Sequence, residues 1–222
     1  RHLYNFFVAD EPQVPAWETV PPQDPDAIDT LSAAYFESDG DMRSVLRVLF
    51  SSAFFKEARF RRVKSPAELV VGITRLVGTH RNPEPGIMEL DGAASAMGQM
   101  LMNPPTVEGW HTGKEWIDGG TLNERVNFAA NQVADLNKPG VREIVDRIGA
   151  GGPTLTPSNL VDRCLDLTGP VEVGDETRRG LMRRAESQGD LWFDTDANRQ
   201  EAARGISRML QLIVSSREYQ FA

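Results

Sequence analysis

Ser65-Pro66-Ala67-Glu68-Leu69-Val70-Val71-Gly72-Ile73-Thr74-Arg75-Leu76-Val77-Gly78 carries a full set of helix signals in one run. Ser65 and Glu68 stand at the spacing of a capping box, with proline in the first turn. Leu69, Val70, Ile73, Leu76 and Val77 recur at the 3.6-residue period of one apolar face, and Gly78 is a natural stop. The same grammar returns along the chain. Asp24-Pro25 introduces Ile28, Leu31 and Tyr35, and Gly40 ends that helix. Asp41 introduces Val45, Leu46, Leu49 and Phe50. Leu90, Ala94, Met97 and Leu101 share one face, and Thr121-Leu122-Asn123-Glu124 forms a second capping box before Val126, Ala129, Val133 and Leu136. Alternation with period two is scarce, so little or no β-structure is expected. The fold class predicted is all-α, an irregular multi-helix bundle.

The last third repeats the pattern more loosely. Val141, Ile144, Val145 and Ile148 precede the glycines at 149, 151 and 152, and Thr156-Pro157 starts a helix carrying Leu160, Val161, Cys164 and Leu165. A charged helix over 175–188 buries Leu181, Met182 and Ala185, and Ile206, Met209, Leu210, Ile213 and Val214 mark a closing one. The glycine run suggests a main helical region over 1–149 and C-terminal helices over 150–222 packed on the same domain. The opening Arg1-His2-Leu3-Tyr4-Asn5-Phe6-Phe7-Val8 reads like the middle of a helix and carries no signal peptide, so a fragment lacking its N-terminal part is expected.

One internal similarity stands apart. Met42–Ala58 aligns without gaps to Ile206–Ala222, matching Leu46 to Leu210, Ser51-Ser52 to Ser215-Ser216 and Phe55 to Tyr219. In both copies an apolar helix runs into two serines, where a hydroxyl can cap a second short helix that presents an aromatic. Chance likeness between amphipathic helices is the alternative. Two copies do not make a solenoid.

Composition excludes several classes. The chain has 222 residues, 40% hydrophobic and 25% charged, with 32 acidic against 24 basic residues and a formal net charge of −8. That balance opposes general nucleic-acid binding, which depends on neutralising phosphates. No run approaches the ~20 apolar residues that span a bilayer. A lone cysteine rules out an internal disulfide, and Cys164 falls on an apolar stripe, as an inert buried thiol does.

Between two helical patterns lies Asn103-Pro104-Pro105-Thr106-Val107-Glu108-Gly109-Trp110-His111-Thr112-Gly113-Lys114-Glu115-Trp116-Ile117, with two of the four tryptophans. Exposing an aromatic forfeits about 1.5–3 kcal/mol of burial, so a long ordered loop is expected here. Glu108, Trp110, His111, Glu115, Trp116 and Asp118 form the candidate ligand or partner surface. Indole faces can stack on sugars while carboxylates bind hydroxyls, or two carboxylates can perform glycoside chemistry. Alternatively both tryptophans plug the core. Arg59, Arg61 and Arg62 are candidate anion contacts through their guanidinium forks, or a solvated linker. Neither a nucleophile elbow nor a phosphate loop is present. His2, His80 and His111 lack metal-ligand spacing, and Asp39-Gly40-Asp41 is better explained by capping than by calcium. No metal or cofactor is expected.

The loop, together with Arg1–Val8 and Glu11-Pro12, Ser38–Arg43, Lys64–Gly72, Met97-Gly98-Gln99 and Asn123–Phe128, resembles the C-terminal half of the bacterial family called domain of unknown function 1800, in its planctomycete type. The resemblance implies an exported, extracytoplasmic protein, often encoded beside a sulfatase-like partner. It implies no catalytic residue. The sequence therefore leans away from an enzyme and towards an interaction module binding a partner protein or surface glycan through the loop. The alternatives are a carbohydrate-active or ester-hydrolysing enzyme using carboxylates near Trp110, and a cell-surface assembly built through the Ser-Ser-aromatic anchors.

Overall fold

A computed structural model describes residues 1–110 and 112–222, and His111 lies outside the described residues. Eleven α-helices and one two-stranded sheet form the regular structure among the described residues, so the chain is all-α. No helix there is long and apolar enough to cross a membrane. Two compact units are present, each assembled from separated stretches of sequence.

Unit 1 comprises Arg1–Ser65, Asn103–Ile117 and Phe221–Ala222. It contains α1 (His2–Phe7), α2 (Pro25–Glu37), α3 (Met42–Ser51) and α4 (Ala53–Lys56). The predicted caps are in place: Asp24 accepts from the Ala27 amide, and Asp41 from those of Arg43 and Ser44. Tyr4, Val8, Ala27, Leu31, Val45 and Leu49 fill the core. Two residues expected inside are not. Tyr35 is 46% and Phe50 43% exposed. Phe50 instead meets Phe7 and Phe55 edge to face, at 5.2 and 5.1 Å, in a partly exposed aromatic cluster.

Unit 2 comprises Pro66–Met102 and Asp118–Gln220. Its elements are α5 (Pro66–Val77), α6 (Glu89–Ala96), α7 (Gly119–Ala134), α8 (Pro139–Gly149), β1 (Thr154–Leu155), α9 (Pro157–Thr168), α10 (Asp175–Gln188), β2 (Leu191–Trp192) and α11 (Asp196–Val214). Helix α11 packs against α7 and α9, and its Ala202, Ile206, Met209 and Leu210 are almost fully buried. The antiparallel β1–β2 pair joins Leu155 to Leu191. Gly140 permits the approach of α8 to α5, because a Cβ there would lie 2.1 Å from the Leu76 carbonyl oxygen.

Three expectations in unit 2 are corrected. Helix α6 ends at Ala96 rather than continuing to Leu101, which is exposed. Gly98 takes a φ of +97°, and the Gln99 amide donates back to the Ala94 carbonyl, which closes the helix. Helix α7 begins at Gly119, not Thr121. Asp118 is its cap, and Thr121 is the reciprocal partner rather than the first cap. A carboxylate is the stronger acceptor for amides at a helix start. Finally, Leu122 is exposed, and the buried face of α7 runs through Arg125, Ala129 and Val133. An arginine occupies a core position that counting apolar residues passes over.

The internal similarity takes matching form in the two units. Ser52 Oγ accepts from the Phe55 amide at 3.2 Å, and Ser216 Oγ from the Tyr219 amide at 3.3 Å. Phe55 packs against the core of unit 1, and Tyr219 belongs to that of unit 2. Each anchor thus fastens the end of a long helix to its own core.

Cys164 is fully buried among Leu160, Val161 and Leu165. Burial pushes its thiol up to about 12 from an ordinary 9.0. The unfolded chain therefore releases this proton from about pH 9, while the folded chain retains it. Stability is expected to fall above pH 9, by at most about 1.4 kcal/mol per pH unit. Urea titrations between pH 8 and 11 should show this slope, and Cys164→Val should postpone its onset towards pH 10. Tyr219, likewise raised to about 12 by burial, sets in there.

Candidate functional site

The site in unit 1 begins with Glu11. Its carboxylate is wholly buried, and Oε2 lies 2.6 Å from Nη2 of Arg1 and 2.8 Å from its Nε. Oε1 accepts from the Gln23 amide at 3.0 Å. The remaining guanidinium donors reach the carbonyls of Trp17, Val20 and Pro21. Asn5 Oδ1 accepts from the Glu11 amide at 2.8 Å, and Trp17 Nε1 donates to the Pro12 carbonyl at 2.6 Å. The guanidinium also lies over the Trp17 ring, 4.8 Å from its centroid. These bonds hold the chain after α1 in a fixed turn through Pro12-Gln13-Val14-Pro15.

The Trp-rich loop is fastened to that turn. Gln13 Nε2 donates to the Thr112 carbonyl at 3.3 Å, although the two residues are 99 apart in sequence. Gly113 has a φ of +63° and passes so close to Asp10 that a Cβ would meet the Asp10 Cβ at 2.8 Å. Only glycine satisfies both conditions. Asp10 in turn accepts from the Val63 amide at 2.7 Å. A tight turn over 106–109 closes the other end, where the Gly109 amide donates to the Thr106 carbonyl and the Thr106 hydroxyl to the Gly109 carbonyl.

Between helix α1, the proline turn and the loop lies a cavity of about 160 Å³. Asn5, Gln13, Val14, Glu108, Trp110 and Thr112 contribute to its walls. Trp110 is half-buried, yet its Nε1 is fully buried and has no hydrogen-bond partner among the described residues. Buried N–H groups nearly always have a partner, and an unmet one costs about 1–3 kcal/mol. A second cavity of about 260 Å³ includes Asp10, Glu11, Gln23, Lys114 and Glu115.

The structure separates the residues that the sequence grouped. Glu108 and Trp110 share the first cavity, Glu115 lines the second, and Trp116 is buried in a 3-10 turn over Gly113–Trp116. Asp118 belongs to unit 2, where the Gly120 and Thr121 amides donate to its carboxylate and hold its pKa below the usual range. His111 falls outside the described residues. Arg59 lies over Phe60 at 5.3 Å and Arg62 over Phe6 at 6.0 Å, and neither these two nor Arg61 lines the loop cavity. Val63, which follows them, is buried and bridges to Phe221, so the basic stretch is tied down at its end. Among the described residues, no cluster of three or more histidine, cysteine, aspartate or glutamate side chains is placed to hold a metal.

Sequence reasoning missed the other half of the cavity wall, Asn5 and Pro12–Pro15. The signal available was the recurrence of Glu11-Pro12 in the same motif set as the loop. Residues 1–221 match the model of the family described as "Protein of unknown function (DUF1800)". No curated protein and no solved structure matches the chain.

Proposed function

The chain belongs to the DUF1800 family, and from that premise we propose that it is a recognition module that holds a ligand in the cavity beneath its Trp-rich loop. One observation carries this reading. Two segments 99 residues apart in sequence are fastened together around a space lined by Trp110, whose indole N–H is buried and has no partner among the described residues. Binding is favoured over acid–base catalysis because Glu108 and Glu115 line different cavities. The reading includes a place outside the cytoplasm and a sulfatase-like partner protein, both supported by kinship alone.

The test is an NMR screen of the 15N-labelled indoles against mixed sugars, short peptides and amides. Four tryptophans give four side-chain signals, and Phe substitution assigns Trp110. Selective movement of the Trp110 signal is expected. If no compound moves it at tens of millimolar, the recognition reading fails. Turnover of a glycoside or ester substrate that is lost in Glu108→Gln would replace it with the hydrolase alternative.

A further inference from the structure

We infer that the ligand of this cavity is a single uncharged sugar ring, presented by a glycan or as a free saccharide. The inference rests on the recognition reading above and narrows it. Size comes first. A space of about 160 Å³ lies below the ~300–1,000 Å³ of drug-sized sites, so it admits one ring and not an extended chain.

Polarity comes second. One lining residue carries a buried hydrogen-bond donor without a protein partner among the described residues, Trp110 Nε1. Asn5 lines the same space, with its side-chain oxygen engaged by the Glu11 amide. Glu108 and Thr112, which bear side-chain oxygens, are also lining residues. A ligand must therefore offer acceptors and donors around a small perimeter, against an apolar surface of indole, Val14 and proline. Sugar hydroxyls do both at once, and the ring's C–H face suits an aromatic or proline surface. A proline or aliphatic peptide side chain would leave the donor unmet.

Charge comes third. No lysine or arginine is among the described residues lining the cavity, and the nearby Arg1 is paired with Glu11. Glu108 is the only carboxylate among the described lining residues, so a uronic or sulfated ring meets repulsion there. Neutral and N-acetylated rings are accepted, and acidic ones rejected.

The experiment titrates the full chain with methyl β-glucoside, N-acetylglucosamine and glucuronic acid. It is run at pH 8. Affinities are read by saturation-transfer NMR and by the Trp110 indole signal. A neutral sugar should bind with a Kd on the order of 1 mM, given how few atoms it has. Glucuronic acid should bind at least roughly tenfold more weakly, and Glu108→Gln should close that gap. Trp110→Phe keeps the ring and removes the donor; it should weaken the neutral sugar by about tenfold while the other three indole signals stay in place.

Equal binding of glucuronic acid and neutral sugars overturns the charge selectivity. Movement of the Trp110 signal by peptides or amides, with none by any sugar, overturns the sugar assignment and leaves the recognition reading intact. A Trp110 signal that nothing moves removes both.

Discussion

Glu11→Ala should unfold unit 1 at a temperature well below that of the unaltered chain, with about 3 kcal/mol or more of stability lost. The carboxylate is wholly buried, and Arg1 beside it is 11% exposed. Removing one member of a buried pair leaves the other charge without compensation, a loss of about 3–5 kcal/mol. The lower end applies because the guanidinium keeps three backbone carbonyls and the Trp17 ring. At roughly 4–8 °C per kcal/mol for a unit of this size, that is a fall on the order of 10–20 °C. Tryptophan fluorescence reads it directly, since Trp17, Trp110 and Trp116 lie in unit 1 and only Trp192 in unit 2. Glu11→Gln keeps an acceptor for the Gln23 amide and should lose less. An unchanged fluorescence transition in Glu11→Ala would mean that the pair does not hold the proline turn, and with it the wall of the cavity.

The helices were legible because their boundaries are local. A carboxylate or hydroxyl two or three residues from the amides it caps is visible in any sequence, and Asp24, Asp41, Thr156 and Ser52 all act as caps. The errors have local causes too. Gly98 ended α6 one turn early through a positive φ. Asp118 outcompeted Thr121 for the start of α7. The Ser-Ser-aromatic similarity was also legible, since each copy is one continuous stretch. That each copy serves a different core follows from long-range packing, which the linear sequence does not display.

The site was legible only in half. An ordered aromatic loop could be read from its composition, but the fate of each tryptophan could not. Trp116 sits in a 3-10 turn with its ring buried, whereas Trp110 lines a cavity, and nothing in the five residues between them encodes the difference. The opposing wall comes from Asn5 and the proline turn, held by bonds such as Gln13 to Thr112 across 99 residues. Closure at that separation depends on the Arg1–Glu11 pair and on Gly113 passing Asp10, none of which has a periodic signature.

Arg125→Met is expected to cost unit 2 about 3 kcal/mol, even though methionine keeps most of the buried stem. Arg125 is fully buried, and its Nε donates to Oε1 of Gln220 at 2.9 Å. Burial pushes its pKa down to about 10, against the opposing pull of Glu68, so the side chain is still charged at neutral pH. Methionine removes that cation and strips the buried Gln220 oxygen of its donor, which is where the cost arises. Gln220→Leu alone strands the Arg125 Nε and should also destabilise, by about 1–3 kcal/mol. The double variant removes both polar partners, so its loss should be smaller than the sum of the two single losses by roughly 0.5–3 kcal/mol. Additive losses in chemical denaturation would show that the two side chains are not coupled. The pH response supplies an independent sign. Because the folded value lies below the ordinary one, the folded chain gives up this proton first, and stability gains from the arginine as pH rises above about 10. That gain opposes the losses from Cys164 and Tyr219, so Arg125→Met should steepen the alkaline decline that Cys164→Val postpones.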